Sequence, residues 1–271
     1  MARTVEAILA GETWCAARPA VTVGTVSLAD AWEHHATDWI AWAQAPDHDA
    51  FWHGTWPALL EIMPASAGPV LDLGCGEGRA GRQLLAAGRR VLGIERSATL
   101  ARAAATGSPP LPVAQADAAS LPLADGCAAL VVASMSLLDI DDVEGAIAET
   151  ARVLRPGGVF CFAIVHPFDS ACDNGAATAA PFAVSQRYLT PRRYEDRFEK
   201  DGLTITLASM HRPLSAYTTA LFRAGLVIPD LRERGDGEIP WLLVVRAEKR
   251  SYGRYLSAAA QMPAHRHRGR P

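Results

Sequence analysis

One short stretch of the chain, residues 68–81, combines a carboxylate with closely spaced glycines and reads GPVLDLGCGEGRAG. Asp72 lies inside an apolar run, and Gly74, Gly76 and Gly78 follow at every second position. Glycine permits positive φ and lets a ligand approach the backbone closely. A helix N-terminus offers free N–H groups and a partial positive charge. The stretch therefore predicts a strand, a glycine turn and a helix that together bind the polar part of a nucleotide.

Two kinds of cofactor site use this arrangement, and Asp72 distinguishes them. Residues 76–81 match the dinucleotide fingerprint G-x-G-x-x-G, with Glu95 near the spacing of a ribose-binding acid. A carboxylate at Asp72 would repel a pyrophosphate but attract a cofactor that carries an ammonium and a sulfonium. The string D-x-G-x-G-x-G resembles motif I of the class I S-adenosylmethionine-dependent methyltransferases. A nicotinamide-dependent oxidoreductase is the alternative that the glycine pattern alone supports.

The resemblance continues in chain order to about residue 165. Glu95 ends a predicted strand at 90–95, where the family has an acid for the ribose hydroxyls, and Asp117 matches the acid that takes the adenine amine. The phrase ARVLRPGG precedes a predicted fifth strand at 159–165. The resemblance implies S-adenosyl-L-methionine as cofactor and S-adenosyl-L-homocysteine as product. The implied cofactor-binding residues are Asp72, Gly74, Cys75, Gly76, Gly78, Glu95, Arg96, Asp117, Ala118, Ser134 and Met135.

Alternating strands and helices predict an α/β fold, a doubly wound Rossmann-like sheet of seven mostly parallel strands. We expect an N-terminal helical lid and an inserted β-hairpin and flap around this sheet. The predicted division is an N-terminal extension (1–28), a methyltransferase domain (29–248) and a basic C-terminal tail (249–271). Within the domain we expect the lid at 29–66, the cofactor-binding core at 67–166, the flap and hairpin at 167–213, and a closing helix and strands at 214–248.

Aromatic and histidine side chains outside the core are the candidates for the acceptor side. The lid is rich in tryptophan, and Trp39 and Trp52 are predicted to contact substrate, although such residues also fasten helices to a core. His166 directly follows strand five and is our first candidate for a general base, with His53 and His211 as weaker substrate-side candidates. A histidine that only shapes a loop is the alternative for His166.

Methyl transfer depends mainly on alignment and on exclusion of water, so a base is needed only where the attacking atom keeps its proton. The H-P and H-R-P-L-S segments at 166–167 and 211–215 resemble small-molecule methyltransferases of the Methyltransf_11-like group. The expected function is therefore methyl transfer to a metabolite or natural product. A protein that binds S-adenosylmethionine without catalysis is a further alternative.

Composition favours a soluble enzyme with a small-molecule substrate. The chain has 271 residues, 49% of them hydrophobic and 20% charged, with a net charge of −3, so nothing indicates a nucleic-acid partner. Five scattered cysteines without a C-x-x-C pair predict no metal site and a reducing cytoplasm. The longest apolar run, 127–138, is too short to span a bilayer, which predicts no membrane partner.

Overall fold

The computed structural model describes residues 26–65, 68–171, 188–235 and 240–250. The predicted N-terminal extension lies almost wholly outside these ranges, as does nearly all of the basic tail. Most of the predicted flap, residues 172–187, is also outside them. The lid, the core, the hairpin and the closing elements are all described.

Seven strands form the central sheet, and the predicted fold class is confirmed. Together with two further strands that pair separately, the strands of the described residues are β1 Pro69–Leu73, β2 Arg90–Glu95, β3 Val113–Gln115, β4 Ala128–Ser134, β5 Leu154–Val165, β6 Arg192–Lys200, β7 Leu203–His211, β8 Leu226–Arg234 and β9 Leu242–Lys249. The sheet order is β3-β2-β1-β4-β5-β9-β8, whereas β6 and β7 pair separately. Strands β1 to β5 run parallel, and β9 lies antiparallel between β5 and β8.

Helices cover both faces of the sheet, which explains why β4 is apolar throughout. The helices are α1 Leu28–His34, α2 Ala36–Gln44, α3 Trp56–Ile62, α4 Arg79–Ala86, α5 Ala98–Thr106, α6 Val143–Val153, α7 Pro167–Ala171 and α8 Leu214–Arg223. Side-chain caps begin three of them, because Ser27 accepts from the Asp30 amide, Ser97 from the Leu100 amide and Asp142 from the Gly145 amide. None of the helices in the described ranges is long and apolar enough to cross a membrane.

The lid differs in detail from the pattern in the sequence. The spacing of Trp32, Ala36, Trp39 and Ala43 predicts one helix, but the chain is broken at His35 into α1 and α2. The aspartates at 47 and 49 predict the start of a second helix, but the chain there first forms a π-helical turn, Phe51–Thr55, before α3. Pro57 has no N–H to donate, so the regular helical ladder starts only around it.

Contacts on two sides hold the lid over the sheet. The Glu33 carboxylate accepts hydrogen bonds from the hydroxyls of Ser97 (2.5 Å) and Thr99 (2.7 Å) at the start of α5. On the other side, the Trp32 indole N–H donates to the Ala208 carbonyl of β7 at 3.0 Å. The lid therefore bridges the core and the β6–β7 hairpin.

The predicted hairpin is confirmed, including its turn. Asp201 and Gly202 connect β6 to β7 with φ values of 50° and 80°. Two successive left-handed residues match the twist of a two-residue hairpin turn, which is why an Asp-Gly pair marks it in the sequence.

Alternate residues of β5 belong to two apolar clusters, one on each face of the sheet. Phe160 and Phe162 face one cluster, whereas Val159, Cys161 and Ala163 face the other. The two phenylalanine rings are fully buried with centroids 5.1 Å apart. Strand β5 is thus the shared wall of both halves of the core.

Replacing Phe162 with alanine should lower the free energy of unfolding by about 3–5 kcal/mol, because a fully buried ring leaves a cavity. Phe222→Ala is the matched control, since Phe222 on α8 is 75% exposed and its removal should change stability by less than about 0.5 kcal/mol. Urea unfolding of both variants measures the difference. Equal losses would contradict the assignment of Phe162 to the core.

Candidate functional site

A cavity of about 670 Å³ lies at the carboxyl ends of β1, β2 and β4, beneath the lid and the hairpin. This is the end of an open α/β sheet at which ligands bind. Its size is that of a small-molecule site. The glycine turn, Glu95, Asp117 and Ser134 line one part of it, and lid and hairpin residues line the other.

The glycine turn packs against the end of β4 on one side and opens to the cavity on the other. Gly74 has a φ of 67°, and a Cβ there would lie 2.5 Å from the Cβ of Ser136. The Ser136 hydroxyl also donates to the Leu73 carbonyl at 2.6 Å. Gly76 has a φ of 57°, and the nearest atom to a Cβ there is Trp39 Nε1 at 3.5 Å. Gly76 is therefore where a ligand can approach the backbone.

The amides of the glycine turn itself are not free to bind a ligand. The amides of Gly74 and Cys75 donate to the Ile94 carbonyl at 2.8 and 3.0 Å. The Gly76 amide donates to Glu95 Oε2 at 2.9 Å. These bonds fix the turn to the end of β2, so the turn shapes the cavity instead of supplying donors to it.

Glu95 is held in one orientation by two backbone amides. Its Oε1 accepts from the Ser97 amide and its Oε2 from the Gly76 amide, both at 2.9 Å. Burial raises the pKa of Glu95, and these two amides oppose the rise. A carboxylate has about four acceptor positions. The positions left over face the cavity that Glu95 lines, so two ligand hydroxyls can be bound there.

Asp72 is buried and lines the same cavity, and neither of its carboxylate oxygens has a hydrogen-bond partner among the described residues. Burial raises the pKa of Asp72 to about 7, and the charges of Glu95 and Glu77 add to the rise. The backbone N–H of Gly81 lies near enough to oppose the rise, although it makes no hydrogen bond of good geometry to the carboxylate. An orphaned carboxylate beside two other acids fits a cationic ligand. A pyrophosphate would be repelled there, as the sequence predicts.

The other residues predicted for the cofactor lie mostly in the same wall. Cys75, Arg96, Asp117, Ala118, Ser134 and Met135 all line the cavity. Asp117 Oδ2 is 2.5 Å from Arg96 Nη1 at the exposed rim. Gly78 does not line the cavity, because it precedes α4 and packs toward Ala104, where a Cβ would lie 3.0 Å from the Ala104 Cβ. Its predicted cofactor contact is not supported by this placement.

Of the four predicted substrate residues, only Trp39 lies in the cavity wall. Trp52 is 44% exposed on the outer surface of the lid. His53 is exposed and lies 3.2 Å from Asp47 Oδ1. His211 is buried, with Nδ1 2.7 Å from the Ser170 hydroxyl and Nε2 2.8 Å from the Tyr188 carbonyl. For these three residues the structure gives packing or surface contacts in place of a substrate contact.

His166 has no ring nitrogen free to take a substrate proton. Its Nδ1 accepts the Phe168 amide at 3.1 Å, and its Nε2 lies 2.9 Å from Glu233 Oε1. Burial lowers the pKa of His166, while Glu233 opposes that change. The residue is also not part of the cavity wall. This geometry matches the alternative of a histidine that shapes the loop after β5, and it does not support the predicted base.

Comparison with known proteins agrees with the site. Residues 71–162 match the family model described as a methyltransferase domain. A malonyl-[acyl-carrier protein] O-methyltransferase of Pectobacterium atrosepticum is 37% identical over 106 residues, which are 39% of this chain and 42% of that protein. A demethylmenaquinone methyltransferase of Streptomyces avermitilis is 29% identical over 52% of this chain and 57% of that protein. The chain thus spans about half the length of these curated relatives.

A solved structure extends the likeness to the whole fold. An S-adenosylmethionine-dependent methyltransferase from Mesorhizobium loti is 27% identical, with a TM-score of 0.59, over 74% of this chain and all of that one. Residues 71–162, the segment that matches the family model, contain the glycine turn, Glu95 and Asp117. The fold is that of a class I methyltransferase domain, and residues 71–162 match the methyltransferase domain family.

Several residues that line the cavity of this methyltransferase domain are not evident from the sequence. Arg79 at the start of α4 pairs with Asp49 at 2.5 Å and lies 5.0 Å from the Trp39 ring centroid. Arg79 directly follows the glycine turn in the sequence, and this position could have indicated that it lines the cavity. Trp241, just before β9, and hairpin residues such as Phe198 give no such signal, because only the fold brings them to the cavity.

No group of three or more metal-ligating side chains occurs in the portion of the methyltransferase domain that the structure describes. Its Cys75 is buried, and burial with nearby acids raises the pKa of this thiol. Cys75 is thus a small apolar part of the wall and not a nucleophile.

The raised pKa of Asp72 predicts how the stability of the protein changes with pH. Since the pKa is raised to about 7 in the fold, the folded protein keeps a proton that the unfolded chain has lost above pH 4 or so. The free energy of unfolding should therefore fall as pH rises toward 7. Asp72→Asn carries no charge, so it should become more stable than the wild type by on the order of a few kcal/mol at pH 8.

Thermal melting of the ligand-free proteins between pH 5 and 8.5 measures this effect. Glu144→Gln is the control, because Glu144 loses the same charge on the surface, where its side chain is 65% exposed. Parallel pH curves for wild type and Asp72→Asn would show that Asp72 titrates normally in the fold.

Proposed function

We propose that the protein is an S-adenosylmethionine-dependent methyltransferase that acts on a small-molecule acceptor. The observation that carries the proposal is the unpartnered Asp72 carboxylate, which lines the cavity inside the segment that matches the methyltransferase family. Glu95 beside it has the orientation and acceptor positions for two ribose hydroxyls. The chain spans only part of its relatives, so activity and acceptor both stand as proposals.

Different residues of the cavity have different roles in the proposed reaction. S-adenosylmethionine, when bound, supplies an electrophilic methyl group on a positively charged sulfur. Glu95 would hold the ribose, Asp117 the adenine amine at the rim, and Asp72 would supply negative charge near the cation. The lid, with Trp39 in the wall, would keep water out and align the acceptor. Positioning of this kind supplies roughly 7–11 kcal/mol of barrier lowering.

The named relatives favour a small or carrier-bound acceptor without fixing it. One is a malonyl-[acyl-carrier protein] O-methyltransferase and the other a demethylmenaquinone methyltransferase. These acceptors differ in chemistry, so they support the reaction type more than any one substrate.

No basic stripe of the kind that binds nucleic acid is present in the sequence. The free cysteines Cys75, Cys127 and Cys161 suit a reducing cytoplasm.

Calorimetric titration tests the cofactor. S-adenosylhomocysteine should bind, whereas NADH and NADPH should not. Glu95→Gln should weaken S-adenosylhomocysteine binding at least tenfold, about 1.4 kcal/mol, because hydrogen bonds to a charged acceptor are strong. Glu144→Gln serves as the control and should retain wild-type affinity. Binding of NADH in preference to S-adenosylhomocysteine would favour the oxidoreductase instead.

Methyl-labelled S-adenosylmethionine tests catalysis. We expect label to appear on at least one member of a panel of small amines, phenols, quinols and carboxylic acids. If the cofactor binds but no member of such a panel acquires label, the alternative of a non-catalytic binding protein gains support.

A further inference from the structure

The cavity contains a carboxylate, Asp139, that the mechanism above leaves unused. It lies in a 3₁₀ turn, Leu137–Asp139, directly after β4. The Ser209 hydroxyl of β7 donates to Asp139 Oδ1 at 2.6 Å. No described residue donates a hydrogen bond to Asp139 Oδ2. Asp139 lines the cavity, and this oxygen is open to it. Asp139 therefore presents one oriented, unoccupied oxygen between the donor side and the hairpin.

The charge of the cavity wall favours a cation at this position. Among the described residues that line the cavity, twelve are Asp or Glu and four are Arg or Lys. Two of those four, Arg79 and Arg96, are already paired with Asp49 and Asp117. An anionic acceptor would be repelled by this wall, whereas a cation would be attracted.

Aromatic rings also line this cavity, and one of them belongs to Tyr194, which pairs with Ser209 across the β6–β7 hairpin. They are Trp42, Tyr194, Phe198 and Trp241. The rings of Trp42 and Phe198 have centroids 6.3 Å apart. Such rings bind apolar groups and attract cations at their faces. Arg79 already uses this interaction in the same cavity, with its guanidinium carbon 4.2 Å from the Phe51 ring centroid.

We propose that Asp139, oriented by Ser209, binds the ammonium group of the acceptor, so that the substrate class is an arylalkylamine, an alkyl amine that carries an aromatic ring. The aromatic side chains would hold the apolar part of such a molecule, and Asp139 Oδ2 would accept from its ammonium. The inference rests on the proposed function, because the acceptor is identified by its position beside the donor site.

The electrostatics of Asp139 agree with this role. Burial raises the pKa of Asp139 well above its usual value, and the charge of Glu95 adds to the rise. The Ser209 hydroxyl and the Arg212 guanidinium act in the opposite direction. An ammonium beside the carboxylate relieves the cost of its burial, whereas a neutral ligand leaves that cost and an anion increases it.

Calorimetry on the full chain saturated with S-adenosylhomocysteine tests the proposal with three matched probes: benzylamine, benzyl alcohol and benzoate. Benzylamine should bind the wild type at least tenfold more tightly than either of the others. Asp139→Asn should weaken benzylamine binding at least tenfold, and Ser209→Ala should weaken it by a smaller factor. Glu199→Gln removes an exposed charge from the cavity rim and should change the affinity less than twofold.

Melting temperature and S-adenosylhomocysteine affinity are measured first for each variant. In Asp139→Asn the affinity should match the wild type, and the melting temperature should be no lower than that of the wild type, because the substitution removes a buried carboxylate. If the wild type does not bind S-adenosylhomocysteine, the proposed function fails. If it does bind, the amine proposal alone is overturned by either of two results. The first is no preference for benzylamine over benzoate, and the second is benzylamine affinity within twofold of wild type in Asp139→Asn.

Discussion

The attachment of the glycine turn to the end of β2 is the interaction on which the site depends. The Ile94 carbonyl accepts the amides of Gly74 and Cys75, and the Glu95 carboxylate accepts the amide of Gly76. These bonds join the ends of two neighbouring parallel strands. They also orient Glu95 before any ligand arrives, since a carboxylate fixed by two backbone amides has little freedom to lose on binding. These hydrogen bonds therefore determine both the shape of the cavity floor and the orientation of the Glu95 carboxylate.

Unsatisfied negative charge is the second feature of the site. Asp72 and Asp139 are both carboxylates of the same cavity whose pKa values are raised by burial. Burying an unpaired charge destabilises a fold. Such cost is common at functional sites, where a ligand supplies the missing partner. The ligand-free protein therefore carries a strain of electrostatic origin that a cationic donor, and in our proposal a cationic acceptor, would relieve.

The core of the fold was predictable because its signals are local. Strand β2 has the predicted bounds, and the β6–β7 turn is where the Asp-Gly pair indicates. The lid was harder. The heptad-like spacing of tryptophan and alanine predicts one helix, yet the chain breaks at His35 into α1 and α2, and both of these helices contact the hairpin and line the cavity. Periodicity indicates which residues share a helix face, but not where tertiary packing interrupts the helix.

By itself, the sequence determined the order of the strands along the chain, the glycine turn and the carboxylates Asp72, Glu95 and Asp117, because these follow from adjacent residues and from where parallel strands end. Only the tertiary structure decided what the remaining polar groups do. His166 is engaged by Glu233, 67 residues away, and Asp139 is oriented by Ser209, 70 residues away. The physical reason is that the availability of a nitrogen or oxygen depends on its hydrogen-bond partners, and those partners come from elements far apart in the chain.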